Sequence, residues 1–325
     1  MKQIVAPLAA GILAWACAGP TWGQGAETFP AKPVRIIVPF PAGGTADSIP
    51  RIVAEKLALK WSQPVIVENR PGAGGNIGAD AFARAEPDGY TLFASPPGPM
   101  AINFNLYKKL NYDPRKFAPI SVAATMPTVL VVRPELAAIP LEELFREMRA
   151  NPEKFTYASQ GNGTTSHLAA NLFSMELRAQ LLHIPYKGTA PALTDLIGGK
   201  VDMMFDNISS SLPFHQSGRV KIVAVAADKR AQLLPDVPTF AELGLPDVMA
   251  GSWVAFAAPA GTPPAITSKI SKAIAEIVRM PDVKKRFAEL SAAPVGDSPA
   301  EMAAFVARES ERWGAVIRTA HVTLD

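Results

Sequence analysis

The sequence predicts an α/β protein of two lobes, in which each lobe is a mostly parallel sheet flanked by helices and two strands join the lobes. The 325 residues make about two domains of ordinary size. From Lys32 onward, short β-rich runs alternate with segments of helical periodicity, which is typical of parallel strands with helical crossovers. Three amphipathic segments end the chain with little strand between them, so they are predicted to pack back onto the first lobe.

The first series of elements begins with residues 34–40 (VRIIVPF), a near-continuous apolar run of the kind found in strands covered on both faces. Residues 47–60 form a predicted helix because their apolar side chains share one side: Ile49, Ile52, Val53 and Leu57. Further strands are predicted at 64–68 and 90–94, and a helix at 76–85.

The second series of elements shows the same alternation. Strands are predicted at 129–132, 155–158, 181–184, 201–205, 221–226 and 253–257. Helices are predicted at 141–149, 165–178, 191–197, 266–279, 283–290 and 300–317. The chain then crosses between lobes near Thr128 and Trp253, which gives lobes of 27–128 with 254–325 and of 129–253. Two lobes on two connecting strands make a hinged clamp.

Residues 1–23 are predicted to be a secretory signal peptide. Lys2 supplies the positive end, residues 4–18 supply a short apolar stretch, and the small residues Thr21 and Gly23 precede a cleavage point before Gln24. This stretch is too short to favour a membrane span. The alternative to a signal peptide is an ordinary buried helix. The signal predicts a periplasmic protein.

The only cysteine of the chain, Cys17, lies inside this signal segment. The mature protein therefore has no thiol, which excludes disulfides and thiol catalysis. The alternative is that Cys17 carries a lipid anchor, although the bulky Trp15 makes a poor lipoprotein cleavage context.

The composition argues against several classes of function. The formal net charge is +3, or +2 once Lys2 is removed, and no basic stripe with interleaved aromatics occurs, so nucleic-acid binding is not expected. The four histidines lack metal-ligand spacing, and neither a Ser-x-x-Lys pair nor a Gly-x-Ser-x-Gly elbow appears. We therefore expect no metal, no cofactor and no catalytic residues.

The loop at residues 39–47 (PFPAGGTAD) follows the first predicted strand and precedes a helix. Its paired glycines, Gly43 and Gly44, let the backbone approach a ligand, and the helix start offers free N–H groups to an anion. Asp47 is predicted to cap that helix, and Pro50 is expected in its first turn, where the missing N–H costs little. The alternative is a tight turn without a ligand. The loop lacks the lysine of a nucleotide-binding P-loop.

The loop at residues 159–167 (SQGNGTTSH) is its counterpart in the second lobe. Its small residues, three consecutive hydroxyls and helix-start N–H groups suit a carboxylate, whereas a simple helix cap would need only one hydroxyl. His167 is expected to be structural rather than a general base. At other strand ends, Tyr186 could add polar contacts. Asp206 either holds a ligand ammonium or hydroxyl or bonds to backbone at a turn.

Several motifs resemble the Bug family, the substrate-binding proteins of tripartite tricarboxylate transporters (TctC family). They occur in the family's order over nearly the whole mature chain: KPVR at 32–35, the 39–47 loop, VENRPGAGG at 67–75, PDGYTL at 87–92, the 159–167 loop, PYKG at 185–188, PAL at 191–193 and LPDVPT at 234–239. The chain departs from the family at Pro50, where members commonly have Ala, and at 96–99 (PPGP), where members often carry small polar residues.

The resemblance implies a two-lobe periplasmic binding fold (type II-like) that captures a small carboxylate: a di- or tricarboxylate, an amino acid or an aromatic acid. One carboxylate would meet the first loop and the far end of the ligand the second, with 96–99 lining the cleft. The implied ligand-binding residues are Phe40, Pro41, Ala42, Gly43, Gly44, Asp47, Pro97, Ser159, Gly161, Gly163, Thr164, Thr165, Ser166, His167, Tyr186 and Asp206.

The implied partners are the carboxylate and either transporter membrane subunits or a sensor protein, and a monomer is expected. A purely sensory module is one alternative. A secreted hydrolase is a distant one, for which Ser159 or Ser166 with His167 is the only local candidate.

Overall fold

One curled, mixed sheet of ten strands runs through both halves of the molecule in a computed structural model that describes residues 29–319, Val322 and Leu324. The predicted signal peptide, its cleavage point and Cys17 lie outside the described residues. No helix within the described part of the chain is both long and apolar enough to cross a bilayer.

The strands and helices alternate along most of the chain. The strands are β1 (Val34–Val38), β2 (Val65–Asn69), β3 (Thr91–Ser95), β4 (Ala118–Val132), β5 (Thr156–Ser159), β6 (Leu182–Pro185), β7 (Met203–Asn207), β8 (Lys221–Val225), β9 (Gly251–Ala258) and β10 (Ala293–Pro294). The α-helices are α1 (Thr45–Trp61), α2 (Asn76–Ala83), α3 (Asn103–Leu106), α4 (Pro134–Ala137), α5 (Leu141–Ala150), α6 (Thr165–Leu177), α7 (Thr189–Ile197), α8 (Ile208–Gln216), α9 (Pro264–Val278), α10 (Pro281–Glu289) and α11 (Pro299–Thr319).

Parallel pairing is found at the two ends of the sheet and antiparallel pairing in its middle. Strands β2, β1 and β3 pair in parallel, as do β6, β5 and β7. The antiparallel pairs all involve the two long strands β4 and β9, which run between the halves. The parallel units are those expected from helical crossovers, and the antiparallel centre follows from the chain crossing between lobes and returning.

Strand β4 is the physical link between the halves. Its first part pairs with β9, and its last five residues, from Thr128 to Val132, pair with β7. At the predicted crossing point, the Thr128 N–H donates to the Ala250 carbonyl, and the Thr128 carbonyl accepts from the Ala226 N–H. The second connection therefore lies against the first at Thr128.

Separate apolar clusters support the two halves. One pair of clusters packs around β1, β3 and β9, and includes Ile36, Phe93 and Phe256. A second pair packs around β5 and β7, and includes Phe173 and Phe205. The terminal helix α11 contributes to both halves, with Met302 in the first and Trp313 in the second.

The predicted strands and helices from 34 to 317 are present, with ends that differ by a few residues. The prediction lacks residues 118–128 of β4, the helices α3, α4 and α8, and the short strand β10. The first ten residues of β4 are interrupted by Pro119, Ser121 and Pro127, and α8 has a serine-rich start, so neither shows a clear apolar period. The expectation for Pro50 was wrong: it lies in the second turn of α1, where the helix loses a backbone hydrogen bond.

Candidate ligand-binding site

Two adjoining cavities lie between the halves of the molecule. The inner cavity, of about 40 Å³, is walled by the hinge strands β4 and β9 and by the starts of α1 and α6. The outer cavity, of about 500 Å³, lies beyond it and is walled by the 39–47 loop and by the starts of α7 and α8. The walls of both cavities include the same four residues, Phe40, Ala46, Gln160 and Asn207.

The first loop is held in shape by a buried carboxylate. Asp47 is 3% exposed and accepts hydrogen bonds from the Gly43 N–H at 3.1 Å, from Arg51 Nε at 2.9 Å and from Asn69 Nδ2 at 2.8 Å. Burial acts to raise the pKa of Asp47, but these hydrogen bonds outweigh it and hold the pKa below its usual value. Asp47 therefore stabilises the conformation of the loop without lining either cavity.

The start of α1 presents backbone donors to both cavities. The Gly44 carbonyl accepts from the N–H groups of Asp47 and Ser48, so it closes the first turn of the helix. The preceding N–H groups, those of Thr45 and Ala46, have no helical carbonyl before them, and Ala46 lines both cavities. This geometry leaves two main-chain donors and the positive end of the helix dipole at the cleft.

The second loop is built around a threonine cap. Thr164 is the N-cap of α6: its Oγ1 accepts the His167 N–H at 3.4 Å and donates to the Gly161 carbonyl at 2.7 Å. Thr165 and Ser166 form the first turn and line the inner cavity. The Ser166 hydroxyl is already used, because it donates to the Phe205 carbonyl. The donors that remain here are the Thr165 hydroxyl and the first N–H groups of the helix.

A neutral stack of rings lies beneath the second loop. His167 and His183 stack with ring centroids 4.2 Å apart, and His183 stacks on Tyr157 at 4.7 Å. Burial lowers the pKa of His167 to about 3, helped by His183, and burial lowers the pKa of His183 to about 4. Both rings are therefore neutral at pH 7, and His167 Nδ1 accepts the Gly163 N–H at 3.3 Å.

The serine–histidine contact in this loop differs from the one that a hydrolase would require here. Ser159 Oγ lies 2.7 Å from Nε2 of His183, not of His167, and Ser166 is bonded to a backbone carbonyl. Ser159 is fully buried and lies outside both cavity walls. The pair that the sequence offered as a catalytic candidate is thus not formed, because the stacking places His183 between the loop and Tyr157.

Asp206 is the only ionisable residue in the wall of the inner cavity, within the described part of the chain. It is 1% exposed and accepts hydrogen bonds from Gln160 Nε2 at 2.7 Å and from Ser211 Oγ at 2.6 Å. Burial raises the pKa of Asp206 to about 6 despite these bonds. The carboxylate anchors Gln160 at the junction of the two cavities and ties down the start of α8.

Four helices direct their N-termini at the cleft. The starts of α1, α6 and α8 meet at the inner cavity, through Ala46, Thr165 and the N-cap Asn207. The starts of α1, α7 and α8 meet at the outer cavity, where two cations, Lys187 and Arg219, also line the wall. No Asp or Glu lines the outer cavity among the described residues. The outer cavity is therefore electropositive through its side chains, whereas the inner cavity combines the positive ends of helix dipoles with the hydrogen-bonded Asp206 carboxylate.

The two halves touch directly at the rim of the cleft. Thr45 Oγ1 in the first half and Ser209 Oγ in the second lie 2.7 Å apart, as hydrogen-bonded hydroxyls. A Cβ added to Gly74 would come within 2.8 Å of the Asn162 carbonyl oxygen, so backbones also approach closely across the cleft. Thr45 and Ser209 both line the outer cavity, so the two halves are in contact at its wall.

The predicted site residues fall into two groups. Phe40, Thr164, Thr165, Ser166 and Asp206 line the inner cavity, and Phe40, Pro41, Ala42, Gly43 and Gly44 line the outer one. The others lie outside both walls: Asp47, Pro97, Ser159, Gly161, Gly163, His167 and Tyr186. Next to Pro97, Pro96 and Gly98 line the inner cavity, whereas the Tyr186 hydroxyl donates to Asp195 at 2.9 Å.

Sequence reasoning missed the contribution of the hinge strands. Four residues of β4 and β9 form part of the inner wall: Met126, Thr128, Ser252 and Val254. A signal was available, because Thr128 and Ser252 are polar residues beside apolar runs at the predicted crossing points. Gln160 and Asn207 were also missed, although both adjoin residues that were predicted. No group of three His, Cys, Asp or Glu that could hold a metal ion occurs in the described part of the chain.

Comparisons with known proteins agree with this architecture. The family described as "Tripartite tricarboxylate transporter family receptor" (TctC) matches residues 49–322. The protein BugT of Bordetella pertussis is 38% identical over 295 residues, which cover 90% of this chain and 90% of that protein.

Solved structures are similar over almost their full length. R. palustris Rpa4515, described with adipate, is 34% identical with a TM-score of 0.87, and the match covers 91% of this chain and 99% of that one. MatC (Rpa3494) from Rhodopseudomonas palustris, described with bound malate, is 34% identical with a TM-score of 0.83, and the match covers 89% and 100%.

These matches confirm the predicted two-lobe fold and the predicted family resemblance. The chain belongs to the tripartite tricarboxylate transporter receptor (TctC) family, and it is a periplasmic solute-binding protein rather than an enzyme.

Proposed function

We propose that this protein captures a small dicarboxylate, with one acid group in the inner cavity and the other toward the outer cavity. The observation that carries the proposal is the meeting of three helix N-termini, from both halves of the chain, at one buried cavity. Helix starts bind anions through free N–H groups and the dipole, and they do so without a buried cation. The adipate and malate described in the two similar structures are acids of this kind.

The sizes of the cavities support a ligand with one carboxylate in the inner cavity and the rest of the molecule in the outer cavity. About 40 Å³ has room for a few water-sized groups, which suits a single carboxylate. The remainder would occupy the outer cavity, where Leu193, Ile197 and Phe214 offer apolar surface to a carbon chain. Lys187 and Arg219 would then attract the second acid group.

The mechanism follows from the hinge. The proposed lobes are 27–128 with 254–325, and 129–253, and they would open about the crossing at Thr128. The ligand would complete its donor set only when the starts of α1 and α6 approach each other. Closure removes water from the cavity, which strengthens the hydrogen bonds to the acid.

The transport role is the finer part of the proposal. A cleaved signal at residues 1–23 would deliver a monomer to the periplasm, where the closed form would be recognised by membrane subunits of a tripartite tricarboxylate transporter. A sensor protein would be the partner in the alternative, signalling role. A pull-down from membranes with and without adipate, followed by mass spectrometry, distinguishes these partners.

A charge placed in the wall tests the binding site. Ala46→Asp puts a carboxylate where both cavities meet, and we expect adipate binding to fall at least a hundredfold by isothermal titration, because like charges repel in a poorly hydrated site. Ser48→Asp is the matched control: it adds the same charge to the same helix, two residues along and outside both walls, and should bind as the wild type does.

Thermal shift supplies the complementary readout. Adipate or malate at a hundred times its dissociation constant should stabilise the wild-type protein by about 2.7 kcal/mol. If neither these acids nor a wider panel of mono-, di- and tricarboxylates raised the melting temperature, the proposed function would be wrong.

A further inference from the structure

The hinge strands expose alternate side chains to the two faces of the crossing. In β4, Thr128 lines the inner cavity, whereas Pro127 lines a neighbouring groove and not the cavity. In β9, Val254 lines the inner cavity, and Trp253 lines the groove. This is the ordinary alternation of a strand, and it directs the Thr128 side chain toward the cavity that receives the acid in the proposed function.

The Thr128 hydroxyl has no hydrogen-bond partner. Thr128 is 2% exposed, and both its backbone groups are satisfied, by Ala250 and Ala226. Within the described residues, four buried side-chain polar atoms lack a partner, and Thr128 Oγ1 is the one that belongs to the wall of the inner cavity. A buried hydroxyl without a partner is costly, so such a group at a binding cavity indicates a missing acceptor.

Three of the other side-chain donors in the wall of this cavity are engaged. The Ser166 hydroxyl donates to a backbone carbonyl, the Thr164 hydroxyl donates to the Gly161 carbonyl, and the Gln160 amide donates to Asp206. Thr165, Ser252 and Asn207 also line this wall with side-chain donors, but Thr128 Oγ1 is the wall atom that is both fully buried and without a partner. A carboxylate has about four acceptor positions on its two oxygens, so it has capacity for a hydroxyl donor as well.

We propose that Thr128 is a ligand-binding residue, which donates its hydroxyl hydrogen bond to the carboxylate in the inner cavity from the strand that both halves share. The proposal rests on the proposed function and names a donor that the loops do not provide. Because Thr128 lies at the crossing of the two connections, its hydroxyl moves least when the lobes open. It therefore marks the point at which the acid group docks before closure.

The experiment measures adipate and malate binding by isothermal titration for Thr128→Val and Thr128→Ser. Valine keeps the shape of threonine without the hydroxyl, and serine keeps the hydroxyl. We expect Thr128→Val to raise the dissociation constant about ten- to a hundredfold, since a hydrogen bond to a charged group is lost, and Thr128→Ser to stay within about threefold of the wild type.

Thr267→Val is the matched control. Thr267 is 6% exposed in α9, away from the cleft, and its hydroxyl donates to the Pro264 carbonyl at 3.1 Å. This variant should lower the melting temperature of the free protein and leave adipate binding unchanged. Thr128→Val should do the reverse, with an unchanged or higher melting temperature, because its hydroxyl has no partner to lose.

Each outcome decides the proposal. If the wild type binds an acid and Thr128→Val binds it within about twofold, Thr128 is not a ligand donor, although the proposed function stands. If Thr128→Val lowers the melting temperature of the free protein as Thr267→Val does, the hydroxyl serves the fold and the proposal fails. If the wild type binds neither adipate nor malate, the proposed function fails and this inference fails with it.

Discussion

The two loops that face each other across the cleft present the same feature, a helix N-terminus, but they are stabilised by different chemistry. The first loop is fixed by a charged group, Asp47, bonded to Arg51 and Asn69. The second is fixed by the neutral stack of His167, His183 and Tyr157. The same arrangement of helix N–H groups can therefore be stabilised by an ion pair or by packed rings. The two loops should lose stability under different conditions.

Packing distinguishes the two loops most strongly. At Gly163 (φ +76°) an added Cβ would lie 2.7 Å from Leu106 Cδ2, whereas at Gly43 (φ +94°) nothing lies within 4 Å. We expect Gly163→Ala to cost about 2–4 kcal/mol of unfolding free energy, through backbone strain and overpacking together. Gly43→Ala should cost only the strain, about 1–2 kcal/mol. Equal losses in urea denaturation would contradict the idea that only the second loop is tightly packed.

Acid should weaken the second loop before the first. Because the pKa values of His167 and His183 are lowered in the folded state, the unfolded chain takes up protons first as the pH falls below about 6.5. The contribution of the two histidines to the unfolding free energy is therefore fully present above pH 6.5. It decreases as the pH falls toward 4 for His183 and toward 3 for His167. The decrease is about 1.4 kcal/mol per pH unit for the well-buried His167 and less for His183.

Asp206 has the opposite effect on stability, and the contribution of the first loop does not change over the same pH range. The pKa of Asp206 is raised to about 6, so its protonation stabilises the folded state as the pH falls from 6 toward 3.8. The pKa of Asp47 is lowered, so its contribution is lost only below about pH 3.8. Replacing His183 with Phe should flatten the decrease between pH 6.5 and 4. An unchanged pH profile of stability would show that the histidines are not protected.

Removal of a charge should act on the first loop alone. Asp47→Asn weakens the hydrogen bonds from Arg51 and the Gly43 N–H, and we expect a loss of about 1–2 kcal/mol with weaker adipate binding. Asp80→Asn, in the exposed Asp80–Arg84 pair of α2, is the matched control and should cost less than about 0.5 kcal/mol. Chemical denaturation at pH 7 compares the two variants, and similar losses would contradict a special role for Asp47.

The smallest expected effect concerns the hydrogen bond between Thr45 and Ser209, which joins the two halves. Ser209→Ala removes the hydroxyl that bonds to Thr45, and we expect closure to weaken by about 0.5–1.5 kcal/mol. Adipate affinity should then fall only a few-fold, mostly through a faster off-rate in stopped-flow measurements. A loss as large as that of Ala46→Asp would mean that Ser209 contacts the ligand itself.

Much of the fold could be predicted because its elements obey simple periods. The apolar run of β1 and the one-sided helix α1 are readable from sequence alone, and so is the presence of a glycine-rich turn between them. The first part of β4 could not be read in this way, since Pro119 and Pro127 interrupt it and its partner β9 is more than a hundred residues away. Pairings so distant in sequence leave no local trace.

The site was only partly predictable for a related reason. Sequence reasoning finds loops at strand ends, so it found the 39–47 and 159–167 loops. It could not tell a wall residue such as Thr165 from a supporting residue such as His167, because that depends on which face of a turn meets the cavity. It also passed over Thr128, whose importance comes from a missing partner rather than from a motif.

The most direct test of the account is a crystal structure of the protein grown with adipate. We predict one carboxylate in the inner cavity, within hydrogen-bond distance of main-chain N–H groups at both Ala46 and Thr165, with the other end toward Lys187 and Arg219. Adipate bound only at the surface cations, or contacting one half of the molecule and leaving the inner cavity to water, would contradict it.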